Sequence, residues 1–410
     1  MRRRWQALAA DVLVVTVAAL VTFQALKRGC GDYYRVPTHS MEPALHGDPD
    51  HGDVVFVEVV SAASSCRRQD LVVVRNPHEA GGQLVKRIAA RGDDADACWI
   101  NLLEGDVWLG PDAQHMWREV KDPIAARGLR VPWARWPGGR DEVAGLELPA
   151  AGGATPLVVH ALGLGEAALR AACTEPAVDG IRELPGAIGT KRAIDAAYLD
   201  LEGRRGREGE DVGVRDVGLD MAVDSDADTI VAVLSTSTET ITWSWRPRDR
   251  HLELWRDGAD IAAFELPAIA PGIHRVELGR LDARAFFLLD DRRDTLRTVD
   301  CPAARGTAEA LPFGPRSHFR IAALGAKPLV VHSLLVFRDV FAYRDRDPTT
   351  GPAGQSPWPF HVPPGQWFLL GDNSFDSRDS RSFGAVPTAE FLGRPLAVIG
   401  PWARTRWLVP

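Results

Sequence analysis

The sequence predicts a mainly β protein: an N-terminal transmembrane helix, then a β domain split by an inserted β-sandwich. Three observations carry that expectation. Residues 5–26 are almost free of charge, as a bilayer-crossing helix requires. Short runs of Val, Ile, Leu and aromatic residues, broken by Gly, Pro and Asp, recur from residue 36 to 109 and again near the C-terminus. Between them, 212–338 carries many such runs at close spacing, the rhythm of a sandwich. The chain has 410 residues, 45% hydrophobic and 25% charged, which excludes a disordered or fibrous protein. A net charge of −7 argues against a nucleic-acid partner, and five cysteines are too few for a disulfide-built scaffold. Of 48 basic residues only Lys27, Lys86, Lys121, Lys191 and Lys327 are lysines, so a well-placed lysine is informative.

The first element is Trp5 to Leu26, densest from Val12 to Phe23, where only Thr16 and Thr22 interrupt the apolar run. At ~1.5 Å per residue such a helix spans a hydrocarbon core of ~30 Å. An anchor, a cleaved signal peptide and a buried core helix compete here. The anchor is favoured because the run ends in Lys27-Arg28-Gly29-Cys30-Gly31, without a small-x-small cleavage site. Arg2 to Arg4 place the N-terminus in the cytoplasm by the positive-inside rule, although Lys27, Arg28 and Arg35 partly cancel the bias. The bulk of the chain then forms soluble domains on one side.

The remaining elements follow in order. Val54–Val60 and Leu71–Val74 read as strands, and 110–154, rich in Pro, Gly, Trp and Arg, reads as irregular. A short helix is expected at Gly165–Cys173. Strands are expected at Val217–Val223, Thr229–Leu234, Ile241–Trp245, His251–Arg256, Ala262–Leu266, His274–Leu278, Ala285–Leu289, Phe319–Leu324 and Leu329–Phe337. An Asp257-Gly258 turn makes a hairpin of the stretch around it. A Pro/Gly-rich loop, Thr349–Pro364, leads into a strand at Gln366–Leu370. The expected organisation is 1–28 basic tip and anchor, 29–109 first part of the β domain, 110–211 irregular linker and start of the insertion, 212–345 the sandwich, and 346–410 the second part of the β domain.

Three segments could do chemistry. Ser40 lies in Pro37-Thr38-His39-Ser40-Met41-Glu42-Pro43, where a serine is ordinarily a turn residue. In Gln83–Ile88, strand alternation puts Leu84, Lys86 and Ile88 on one face. A lysine among apolar neighbours loses its proton more easily and can serve as a base; the plainer reading is a solvated lysine on an edge strand. Gly371 to Gly384 follows an apolar strand and is dense in Asp, Ser and Arg, enough for a fixed hydrogen-bond and ion-pair lattice rather than a mobile tip. His39 adjoins Ser40, but a sequence neighbour rarely has the geometry of a triad base. His160, His251 and His274 lack metal-ligand spacing, so no metal and no cofactor is expected.

Together these segments resemble the bacterial type I signal peptidases, membrane-anchored Ser/Lys proteases. The resemblance rests on Ser40-Met41 after the anchor, Gly52-Asp-Val-Val-Phe-Val57, Val85-Lys-Arg-Ile88, and Gly371, Asp372, Asn373, Ser377, Asp379, Ser380, Arg381 and Gly384, four boxes in family order. It covers Trp5–Leu109 and His361–Trp407. The chain departs from the family at Ala89-Ala-Arg-Gly92-Asp93, where Gly-x-Pro-Gly-Asp is usual, at Ser374, where Arg is common, and in the long insertion. The resemblance implies a serine endopeptidase that removes signal peptides of Ala-x-Ala type from exported preproteins. Ser40 would be the nucleophile, Lys86 the base and Ser377 the residue orienting the lysine. Thr38 and the Ser40 amide would form the oxyanion hole, and Met41, Val55 and Val57 the walls of small substrate pockets. Asp379 and Arg381 would form a structural ion pair, with Gly371, Asp372, Asn373 and Ser380 as framework. It also implies a single-pass protein of the bacterial plasma membrane with its catalytic domain outside the cytoplasm, where Cys66 and Cys98 could pair.

The insertion resembles concanavalin-like or laminin-G-like sandwiches on strand rhythm alone; such modules often bind carbohydrate or protein. Trp243, Trp245 and Trp255 could stack on sugar but sit in strands, where tryptophan is more often core. The alternative function is a membrane-anchored carbohydrate- or protein-binding surface protein with a vestigial peptidase core. The intact Ser40, Lys86 and Ser377 argue against it. A self-cleaving repressor-type Ser/Lys protease shares the dyad but is disfavoured by the anchor.

Overall fold

The computed structural model describes residues 31–59, 63–77, 79, 81–103, 105–136, 157–159, 161–162, 182–183, 216–236, 239–301, 317–340, 342, 358–374 and 376–408. The expected anchor Trp5–Leu26 and the short helix at Gly165–Cys173 lie outside these residues. Among the described residues no helix is long and apolar enough to cross a membrane. The fold is mainly β, and the chain divides into two compact units, residues 1–119 with 342–410, and residues 120–341.

The first unit is built on an eight-stranded sheet. Its order is Gly31–Arg35, Val54–Glu58, Phe391–Gly400, Leu71–Arg75, Gln83–Arg91, Gln366–Leu370 and Val386–Pro387, with Arg406–Trp407 paired to Phe391–Gly400. Strands from before and after the insertion therefore interleave. Gln83–Arg91 pairs antiparallel with Gln366–Leu370, with Leu370 opposite Arg87 and Leu369 opposite Ile88. Val-rich runs suit a sheet covered on both faces. Val55, Val57, Leu71, Val73 and Val398 pack with Met41 and Leu45 on one side, and Val72, Val74, Ile88, Trp367 and Leu369 with Cys66 on the other. A smaller sheet of Phe360–His361, Trp99–Leu103, Asp106–Gly110 and Trp117–Arg118 completes the unit. Cys66 and Cys98, which could have paired, are both free. Cys66 is sealed in the core, whereas the Cys98 thiol is turned toward the Pro111 carbonyl at 3.8 Å.

The second unit holds two seven-stranded sheets. One runs Ala161–Leu162, His318–Leu324, Thr229–Ser235, Thr240–Arg246, His251–Arg256 and Ala259–Glu265, with Arg182–Glu183 also on His318–Leu324. The other runs Arg297–Asp300, Arg284–Leu289, Ile273–Leu281, Val217–Asp224, Leu329–Arg338 and Val131–Trp136, with Leu157–Val159 also on Leu329–Arg338. Alternate residues of both sheets meet in one core: Leu219 and Met221 from one side, Ile230, Ala232, Trp243 and Trp245 from the other. Val231, Val233, Trp255 and Ala322 form a separate buried cluster, so Thr229–Ser235 is apolar on both faces. All three strand tryptophans are thus core and unavailable to stack on a ligand.

All nine strands expected between Val217 and Phe337 are present. The Asp257-Gly258 turn has φ of 50° and 80°, the left-handed pair that a two-residue hairpin requires. The stretch 110–154 differs from its irregular reading. Val131–Trp136 is a strand because Leu329–Arg338 offers it a pairing edge that local composition does not announce. Lys121 is held by two carboxylates of its own unit, Asp282 at 2.6 Å and Asp339 at 2.7 Å.

Candidate active site

Ser40 sits in a short 3-10 turn, His39–Met41, between the edge strand Gly31–Arg35 and Val54–Glu58. Two features hold the turn in place. Asn373 donates from its backbone amide to Ser40 O (3.1 Å) and from Nδ2 to His39 O (3.2 Å). Asp53, fully buried, accepts from the His46 amide at 3.0 Å and from Arg404 Nε at 2.6 Å. The Gly52-Asp53 box thus serves the serine loop. Its glycine is required because a Cβ would stand 2.1 Å from the Val36 carbonyl oxygen.

Lys86 projects from the middle of Gln83–Arg91 and is 2% exposed; its Nζ lies 2.7 Å from Ser40 Oγ. Burial strips water from the ammonium and lowers its pKa from 10.5 to about 8, against the opposing pull of the Asp379 and Asp372 carboxylates. Apolar strand neighbours create that burial, as the alternation in the sequence suggests. Thr38 Oγ1 stands 3.3 Å from Ser40 Oγ, so a second hydroxyl lies beside that of Ser40.

The loop after Gln366–Leu370 forms a fixed lattice. Asp379 caps the helical turn Ser380–Phe383 and accepts from the Gly371 amide at 2.9 Å, while Arg381 grips both its oxygens at 2.8 and 2.7 Å. Arg381 also reaches Ser374 Oγ at 2.7 Å, and Ser380 Oγ accepts from the Leu369 amide at 2.8 Å. Ser374, a departure from the family pattern, is therefore part of the lattice. Asp372 takes a two-pronged bond from Arg87, on the lysine strand, at 2.7 Å each. Gly371 admits no side chain: a Cβ would stand 2.1 Å from Ser377 Oγ and 2.5 Å from Ser40 O.

The structure brings together Ser40, Lys86, Thr38 and the framework residues. Two expectations meet a different geometry. Ser377 Oγ is buried beside Gly371 without a hydrogen-bond partner among the described residues, so the orienting bond to Lys86 is not formed in this arrangement. Met41, Val55 and Val57, expected as pocket walls, are closed to solvent; they support the serine turn from beneath rather than line an open groove. His39 Nδ1 faces Glu42 at 3.0 Å, whereas Ser40 Oγ pairs with Lys86 Nζ at 2.7 Å. Sequence reasoning missed the roles of Asn373 as a staple, Asp53 as a clamp, and Glu42, whose carboxylate gathers His39 and His46. Only the His39-x-x-Glu42-x-x-x-His46 spacing signals the last of these.

Solved structures similar to this chain include an exo-inulinase from Aspergillus awamori (10% identity, 32% of this chain, 26% of that chain, TM-score 0.25). They also include the galectin LEC-6 from Caenorhabditis elegans (12%, 32% and 87%, 0.22) and a carbohydrate-binding module from Bacillus subtilis (12%, 30% and 73%, 0.19). The chain spans about a quarter of the exo-inulinase's length, and these likenesses are too slight to carry an inference. Residues 5–96 and 338–400 match the family described as "Signal peptidase, peptidase S26". Those two segments carry Ser40, Lys86 and the Gly371–Gly384 lattice, and the match supports the signal peptidase family for this part of the chain.

Proposed function

We propose that the chain is a membrane-anchored serine endopeptidase that removes Ala-x-Ala-type signal peptides from exported preproteins. The observation that carries the reading is the buried pair of Lys86 Nζ and Ser40 Oγ at 2.7 Å, with the amine tuned to about 8. The neutral amine accepts the serine proton as Oγ bonds to the scissile carbonyl carbon. The carbonyl electrons move to oxygen, where the Ser40 amide and the Thr38 hydroxyl supply donors. Collapse breaks the C–N bond, and the leaving amine takes the proton from Lys86. Water then attacks the acyl-enzyme by the same route and releases Ser40. Ser377, a buried hydroxyl without a partner, is available to Lys86 once the amine carries the proton.

Location is part of the proposal: N-terminus in the cytoplasm, the first unit at the outer face of the plasma membrane. The apolar run Trp5–Leu26 supports it, as do Trp402 and Trp407, 92% and 77% exposed, of a residue type favoured at membrane interfaces. Cleavage of an Ala-x-Ala signal-peptide substrate in detergent tests the reading. Wild type should cleave, and Ser40→Ala and Lys86→Met should not; substantial turnover by folded Lys86→Met would refute the dyad.

A further inference from the structure

Glu42 lies two residues beyond the nucleophile, and its side chain is 10% exposed. Three groups converge on its Oε1: His39 Nδ1 and the Gly47 amide hydrogen-bond to it at 3.0 and 3.1 Å, and His46 Nδ1 stands 3.0 Å away as an ion-pair partner. A carboxylate oxygen only accepts, so the His39 imidazole donates from Nδ1. The chain leaving the turn is pressed against the chain entering it. A Cβ on Gly47 would stand 1.8 Å from the Thr38 carbonyl oxygen and 2.6 Å from the His39 nitrogen. The segment from Thr38 to Gly47 is thus a closed loop, with Ser40 on its rim and one carboxylate at its centre.

We propose that Glu42 is a positioning residue for the nucleophile: by tying His39 to His46 and Gly47, it sets where Ser40 Oγ stands relative to Lys86 Nζ. The proposal rests on the Ser40/Lys86 reading. Asn373 fixes the same turn from outside through the His39 and Ser40 carbonyls, and Asp53 fixes its far end through the His46 amide. Glu42 is the tie that joins these two anchorages from within. Removing it lets the His39–Ser40 peptide shift, and a displacement of ~1 Å at a reacting atom costs on the order of 100-fold in rate.

The test compares wild type, Lys86→Met, Glu42→Ala, Glu42→Gln and His46→Ala, full length in detergent, on the Ala-x-Ala substrate, with kcat, KM and the unfolding midpoint measured for each. Glu42→Ala should lose roughly 10- to 100-fold in kcat with KM nearly unchanged and the midpoint retained. Glu42→Gln, which keeps an accepting Oε1, should recover most of that loss, and His46→Ala should fall between. Wild-type kcat in folded Glu42→Ala, a loss confined to KM, or a glutamine variant as impaired as the alanine one would overturn the proposal. Should Glu42→Ala not fold, an unchanged kcat in His46→Ala would overturn it equally. An inactive wild type or an active Lys86→Met would instead overturn the Ser/Lys reading itself.

Discussion

Replacing Lys86 by methionine keeps a long flexible stem and removes the ionisable amine, which separates the electrostatic cost of the site from its packing. Burial lowers the Lys86 pKa from 10.5 to about 8. At ~1.4 kcal/mol per pH unit, that difference corresponds to about 3 kcal/mol between charged and neutral forms. The sign follows from linkage. Below pH 8 the folded and unfolded chains both hold the proton, so the full cost of a buried ammonium is present. Between pH 8 and 10.5 the unfolded chain binds the proton and the folded one does not, so stability rises with pH. Above 10.5 the gain is complete. Urea unfolding should therefore show Lys86→Met more stable than wild type at pH 7, by up to about 3 kcal/mol, with the gap closing as pH approaches 10.5. In parallel, wild-type kcat/KM should climb tenfold per pH unit below pH 8 and level off above it, because in the proposed mechanism only the neutral amine accepts the serine proton. A stability gap that stays constant from pH 7 to 10, or a rate flat through pH 8, would refute the reasoning.

Gly371→Ala should depress kcat by more than tenfold, because its Cβ meets Ser377 Oγ at 2.1 Å and the Ser40 carbonyl oxygen at 2.5 Å; unaltered kinetics would show that the loop yields easily. Asp379→Asn should destabilise the first unit by about 3–5 kcal/mol, measured by urea unfolding, since Arg381 loses its two-pronged charged partner. Ser377→Ala should lower kcat while leaving KM and the unfolding midpoint almost unchanged, as its hydroxyl makes no bond in the resting site. A rise in KM alone would contradict a role beside Lys86.

Some of this was legible because the signals are local. Alternation around Lys86 placed it among apolar neighbours, and burial follows directly: 2% exposure and a lowered pKa. Asp379 and Arg381 are two positions apart; composition suggested an ion-pair lattice there, and the resemblance implied this pair. The Asp257-Gly258 hairpin needs only its own turn chemistry. Other features depend on partners distant in sequence. Arg87 and Asp372 are 285 positions apart and meet only because Gln83–Arg91 pairs with Gln366–Leu370. Val131–Trp136 has no strand-like alternation and gains its conformation from the edge of Leu329–Arg338. Ser377 carried the lysine-orienting role on resemblance alone, and its hydroxyl lies buried against Gly371.

Neighbours within a few residues suffice to read the Ser40 and Lys86 segments, the strands of the sandwich and the apolar face around Lys86. Tertiary structure alone decided that Ser40 Oγ and Lys86 Nζ stand 2.7 Å apart and that Asn373 and the Asp53–Arg404 pair clamp the serine turn. Strand pairing across the insertion fixes those distances, and the register of such pairing arises only when sheet edges from opposite ends of the chain meet.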